Sequence, residues 1–429
     1  MKNRNPGTIC KAVSLVMSLL ATQSALAAGF YISEVGTPLS VGTAGVANPT
    51  NTIGADSVWT NPAGMTGLNQ SSMLGGFQVV APNIRFDSSS ATTASGTKVS
   101  GNDGGNAGNA LPIPSFFYVN RVTDRLRLGI SSAGIMGGGV DYGDRFVGRY
   151  AASLAELGAV GISPAIGFKV NDKFSVGAGV SIVYTRFDMD VAIKQSTEDA
   201  PDTPDGKLKI VKADDWGYQP YAGLTYHLTE RAMLGLVYRA EMDVNLEGDL
   251  KFHDWKLPIP KPKANDIDVD WDNPQTVKLG LKYRLDDKNL LFLSAGWEDW
   301  SKFSENTLAL KGGTLNPEIR LDREFDDTWN AGIALAHYEG GHGTTIGFAY
   351  ESSPVSDRHR TLDLPFEELY KISFAYAWVG HKDLDFSLGS TIYLIGDAKI
   401  DQTSQGVRTK GKYDTNYIVF LGGTVRYRF

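Results

Sequence analysis

Along most of this chain, apolar and polar residues alternate one for one. Val277, Leu279, Leu281, Tyr283 and Leu285 are interleaved with Lys278, Gly280, Lys282 and Arg284. Ile372, Phe374, Tyr376 and Trp378 stand opposite Lys371, Ser373, Ala375 and Ala377. A period of two belongs to a β-strand whose two faces meet different surroundings. Fourteen such segments are predicted, near 71–86, 113–122, 126–140, 158–170, 173–192, 209–228, 231–250, 274–285, 289–301, 326–338, 343–352, 368–379, 383–396 and 413–429. The links between them alternate in length. Short turns such as Asn171-Asp172, Leu228-Thr229-Glu230 and Asp286-Asp287-Lys288 take turns with long polar links such as 87–112, 251–273 and 353–367. An even strand number, with short turns at one end and long loops at the other, is the layout of an outer-membrane barrel. The expectation is an all-β fold: a transmembrane antiparallel β-barrel of about fourteen strands over 71–429, apolar side chains toward lipid and polar ones toward the lumen.

Soluble sandwiches and propellers also alternate, so the chain ends matter. Lys2, Arg4 and Lys11 precede a short apolar run, Ala12 to Leu20, and the small residues Ala25-Leu26-Ala27. That order reads as a secretory signal over 1–27, because the run is well short of the roughly 20 residues a spanning helix needs. The other end closes with Tyr427-Arg428-Phe429. Its terminal aromatic lies on the apolar face and resembles the signal read by the barrel-assembly machinery.

Composition removes other classes. The only cysteine, Cys10, falls in the predicted leader, so a mature chain has neither disulfide nor thiolate chemistry. Net charge is −7, and −10 without Lys2, Arg4 and Lys11, which argues against nucleic acid. The histidines (His227, His253, His337, His342, His359 and His381) lie mostly at strand ends or in links, without metal-ligand spacing. No cofactor, metal or enzymatic constellation is expected. The acidic run Asp266-Ile267-Asp268-Val269-Asp270-Trp271-Asp272 reads as a solvated loop, with calcium binding as the alternative.

Residues 28–70 do not alternate. They are rich in Gly, Ala, Thr and Asn, yet carry Phe30, Ile32, Val35, Leu39, Val46, Ile53, Val58, Trp59 and Met65, too apolar for a disordered leader. Eight strands already fill a barrel with side chains, so fourteen enclose a lumen that something must occupy. A compact hatch over 28–70 is predicted there.

The start Ala28-Gly29-Phe30, the run Gly42-Thr43-Ala44-Gly45 and the motif Trp59-Thr60-Asn61-Pro62-Ala63-Gly64 resemble the hatch of the FadL family of long-chain fatty acid and aromatic-hydrocarbon channels. Gly148-Arg149-Tyr150, Leu257-Pro258-Ile259-Pro260, Trp300-Ser301-Lys302-Phe303 and Tyr350-Glu351-Ser352-Ser353-Pro354-Val355 resemble family segments in the same order. The resemblance implies passive uptake of a hydrophobic small molecule by a monomer set in outer-membrane lipid and lipopolysaccharide. It assigns gating to Asn61, Pro62 and Ala63, and a kinked third strand with a lateral exit to Gly134, Gly137 and Gly138. Phe30, Trp255, Leu257 and Ile259 become ligand contacts. The family's interior basic pair falls at Val191 and Leu321, which leaves Arg186, Lys194, Arg320 and Arg323 as candidates for holding a carboxylate. Long-chain fatty acid is the expected cargo. Aromatic or alkane hydrocarbon is the alternative, and an adhesive barrel or outer-membrane hydrolase the alternative of another class.

Overall fold

The computed structural model describes Glu34 and residues 37–197, 200, 202–258, 260–263, 265–311, 318–322, 324–363, 365, 367–381, 383–414 and 416–429. The predicted signal segment 1–27, Phe30, Ile259 and Arg323 lie outside the described residues.

The chain builds β1 (Ser72–Asn83), β2 (Asp87–Thr93), β3 (Leu111–Arg121), β4 (Leu126–Asp141), β5 (Leu154–Lys169), β6 (Phe174–Ile193) and β7 (Gly206–His227). Next come β8 (Ala232–Arg239), β9 (Met242–His253), β10 (Asp266–Asn273), β11 (Thr276–Arg284), β12 (Asn289–Glu298), β13 (Glu305–Lys311) and β14 (Glu318–Asp322). The last are β15 (Thr328–Glu339), β16 (His342–Glu351), β17 (Leu369–His381), β18 (Leu384–Ile395), β19 (Ala398–Ser404), β20 (Val407–Tyr413) and β21 (Tyr417–Arg428). Four staves of the barrel wall are each made of two segments: β8 with β9, β10 with β11, β12 with β13, and β14 with β15. The wall is therefore a closed antiparallel barrel of fourteen staves, shut by β1 pairing with both β3 and β21. β2, β19 and β20 form a separate three-stranded sheet from two of the long loops.

In the lower wall the outward residues are apolar. Val160, Ile162, Ile166 and Phe168 of β5, and Ile372 and Phe374 of β17, are exposed on that face. Two aromatic rows bound this band. Tyr184 packs on Trp216 (5.3 Å) and Tyr350 on Tyr370 (5.3 Å) at the long-loop end. Phe174 packs on Tyr226 (6.4 Å) and Tyr118 on Phe429 (6.3 Å) at the short-turn end. Amphipathic rings at the two edges of an apolar band are what a membrane barrel places at its lipid–water interfaces.

Above the upper row the pattern turns over. In β8, Met233 and Val237 face inward, whereas in β9 Asp243, Asn245 and Glu247 face outward and Val244, Leu246 and Leu250 inward. The swap occurs at Ala240–Glu241. Matching swaps lie at the bulge Val211–Asp214 in β7 and at Pro274–Gln275 between β10 and β11. One extra residue in a strand moves every later side chain to the other face. The stretch Asp266–Asp272 is thus a strand and not the expected loop, and it points Ile267, Val269 and Trp271 into the barrel. The expected long link 251–273 shrinks accordingly to 254–265.

Candidate functional site

Among the described residues, four short helical turns lie inside the lower barrel: Pro38–Gly42, Asn48–Thr50, Ser57–Thr60 and Pro62–Gly67. Asn61 joins the last two. Its Oδ1 accepts from the Ala63 N–H (3.1 Å), capping the turn that Pro62 begins, as short polar caps and first-turn prolines do. Its Nδ2 donates to the Pro49 carbonyl (2.6 Å) and to Leu224 O of β7 (3.1 Å). Asn61 therefore ties two hatch turns to each other and to the wall. Gly177 and Gly223 face it, and a Cβ on either would collide with Pro62 or with Asn61 Oδ1.

Wall cations hold the rest of the hatch. Arg239 donates to the Trp59 carbonyl and lies over the Trp59 ring (3.9 Å), and Tyr221 donates to Val58 O (2.8 Å). Lys282 donates to Thr52 Oγ1 (2.7 Å), Arg127 to Leu68 O (2.7 Å) and Arg426 to Ile53 O (2.8 Å). Lys278 pairs with Glu298 (3.5 Å). Lys371 sits between Glu34 (3.5 Å) and Glu351 (3.2 Å), and Tyr393 donates to Glu34.

Above the hatch the interior is apolar. Phe187, Met189 and Val191 of β6, Leu208 and Ile210 of β7, and Trp271, Trp300, Phe303 and Phe325 are all buried in one cluster. Trp271 packs edge-on to Phe303 at 4.6 Å, and Phe303 stacks on Phe325 at 5.5 Å. Loops close the top. Arg149 pairs with Asp205 (2.8 Å), to which Tyr150 also donates (2.9 Å). Gln405, at the tip of the β19–β20 hairpin, donates to Tyr150 O and Ala192 O. Trp255 and Leu257 are half-buried against the same apolar cluster, and Trp255 meets Phe252 at 5.7 Å. Lys256 N donates to Gln195, which ties this loop to the one after β6.

β3 and β4 part in the wall. Their register runs from Arg121↔Arg127 to Phe116↔Ser132 and ends there, while β4 continues to Asp141 on β5 alone. A bulge lies between Gly134 and Met136, and Ala133 to Gly137 are buried on both faces, so the strand bends inward. Gly137 and Gly138 follow the bulge. Ile113 of β3 stands in the gap: a Cβ on Gly134 would lie 2.7 Å from its Cγ2 and 3.9 Å from its Cβ.

The structure does not bring Arg186 to this interior. It shares the outward face with Ile182 and Tyr184 and pairs with Asp188 (2.8 Å) on the outer surface. Lys194 donates to Ser196 O in the top loop. Glu241, Asp243 and Asp272, on the outer wall, bring carboxylate oxygens within 4.8 Å of one another. Sequence reasoning missed Glu34 and read Lys371 only as one polar position of its strand. The alternation does place Lys371 inward, but its carboxylate partner 337 positions away leaves no local pattern.

The family model for outer membrane protein transport proteins (OMPP1/FadL/TodX) matches residues 18–429. The long-chain fatty acid transport protein of Shigella flexneri is 22% identical over 95% of this chain and 97% of its own length. Outer membrane protein P1 of Haemophilus influenzae is 23% identical over 91% and 93%. Among solved structures, a Pseudomonas aeruginosa FadL homologue superposes with a TM-score of 0.84 at 21% identity, over 94% of this chain and 100% of that one. The toluene transporter TodX of P. putida gives 0.68 at 17% identity, over 88% and 94%. At such identities the structural likeness speaks for the fold alone. Family model, full-length relatives and closed barrel together place this chain in the FadL/TodX family of outer-membrane proteins, channels that transport hydrophobic compounds and are not enzymes.

Proposed function

We propose that the chain carries long-chain fatty acids from the outer surface into the apolar upper interior and releases them sideways between β3 and β4. The carrying observation is the parting of those strands above Ser132, where Ile113 stands against Gly134. Sideways release suits the cargo. A chain delivered into periplasmic water loses roughly 0.8 kcal/mol per methylene, whereas lipid keeps that gain and the transfer needs no energy source. Trp255 and Leu257 sit where cargo would enter. The hatch held by Asn61, Pro62 and Ala63 blocks the straight path. The full-length relatives named for fatty acid transport support this cargo.

The gap can be tested directly. The 3.9 Å between the Ile113 Cβ and a Cβ placed on Gly134 suits a disulfide. The double variant Ile113→Cys/Gly134→Cys, oxidised, should take up labelled oleate about tenfold more slowly and recover under dithiothreitol. Uptake untouched by oxidation, with the cross-link proven by mass spectrometry, would sink the lateral route.

A second reading, uptake of uncharged hydrocarbon, is favoured by Val191, which is fully buried in the apolar cluster where the family places a cation. Side-by-side uptake of oleate and toluene separates the two.

A further inference from the structure

Lys371 is buried on β17 just where the apolar interior meets the hatch. Its Nζ lies 3.5 Å from Glu34 Oε1, 3.2 Å from Glu351 Oε2 and 4.5 Å from the centre of the Tyr393 ring. The Tyr393 hydroxyl donates to the other oxygen of Glu34. Glu34 belongs to the hatch segment and is fully buried. An ammonium and a phenol thus share one carboxylate whose two oxygens are both occupied. Beyond them Tyr393 packs on Phe420 at 4.5 Å, and Leu369 and Ile418 belong to the same apolar cluster.

We propose that Lys371 and Tyr393 form a receptor for the carboxylate headgroup of a fatty acid, and that Glu34 fills it as an internal stand-in which the ligand displaces. The proposal rests on the fatty acid reading and deepens it. When Glu34 leaves, the buried ammonium keeps Glu351 but loses one of its two carboxylates, and the Tyr393 hydroxyl loses the carboxylate it donates to, so an uncharged compound replaces Glu34 at a cost that a carboxylate does not incur. A fatty acid exchanges one carboxylate for another, keeps the local charge constant, and lays its chain along Tyr393 and Phe420. The exchange makes cargo charge a condition for releasing Glu34, and it supplies the cation that the family's usual positions lack at Val191.

The test is equilibrium binding of oleate and of methyl oleate to the protein in nanodiscs, wild type against Glu34→Gln and Lys371→Met. Removing the internal competitor should tighten oleate binding about tenfold in Glu34→Gln, and removing the ammonium should weaken it about tenfold in Lys371→Met. Methyl oleate should bind all three within about twofold, because it makes no charge-assisted bond. Glu34→Gln keeps shape and packing, so it carries the test even if Lys371→Met inserts poorly. Oleate bound equally by wild type and Glu34→Gln overturns the headgroup receptor and leaves the cargo assignment standing. Methyl oleate bound by wild type while oleate is not overturns the cargo assignment, and the receptor with it.

Discussion

Asn61 shows how one side chain fastens a plug. Its amide caps Ala63, reaches back to Pro49 and crosses to Leu224 on the wall, so three backbone groups would lose a partner together. A lost cap alone costs about 1 kcal/mol. The buried Pro49 carbonyl would lose its donor for about 1–3 kcal/mol more, and the tie to β7 at Leu224 would go with it. Asn61→Ala should therefore leave barrel insertion unchanged and speed amide exchange across 48–67 at least tenfold, read by hydrogen exchange with mass spectrometry. Protection equal to wild type would mean that the hatch is held elsewhere. The Asn-Pro-Ala motif was legible in the sequence through its resemblance to a family hatch, and the cap that Asn61 forms on Ala63 was not read there. Arg186 was misplaced for another reason. It was chosen for its nearness in sequence to Val191, although its parity with Ile182 and Tyr184 already puts it on the outer face.

At the level of strands, the alternation located all fourteen staves because period two survives wherever the two faces differ. That same robustness hid the inversion above the upper aromatic row. A bulge or a two-residue break swaps the faces without altering the period, so Val244 and Trp271 read no differently from residues bound for lipid. The loops were legible as loops, but their anchors were not. The loop around 355–363 is held by Arg360, which donates to Lys399 O and Val355 O and pairs with Asp357 and Glu367. Burial, with neighbouring Glu368, pushes the Glu367 carboxyl up to about 7, against the pull of Arg360. A folded-state pKa above the unfolded one means that the folded loop holds its proton more tightly. The stabilisation is complete below about pH 4.5 and is lost as pH rises through 7. Exchange of amides in this loop, corrected for intrinsic rate, should be slower at pH 6 than at pH 8, with the difference abolished in Glu367→Gln. A wild-type loop with equal protection at both values would show that Arg360 keeps Glu367 ionised throughout.

Over the whole molecule, two solvents act on one wall. Lipid selects the outward face of the lower band, and water selects the outward face above it. The interior is sorted in reverse: hatch-binding cations sit below, and Trp271, Phe303 and Phe187 enclose an apolar space above. The height of the upper aromatic row therefore decides what a substitution costs. Leu388 of β18 is 62% exposed within the lower band, whereas Asn245 of β9 is exposed above that row. Leu388→Arg should destabilise the barrel by about 2–4 kcal/mol in reversible urea unfolding from bilayers, because a guanidinium there must be solvated in hydrocarbon. Asn245→Arg, a change at a position that is also exposed but keeps its head in water, should stay within about 0.5 kcal/mol of wild type. Equal costs for the two would remove the boundary on which the inversion depends, and the apolar upper interior would then need another cause than the exchange of lipid for water outside it.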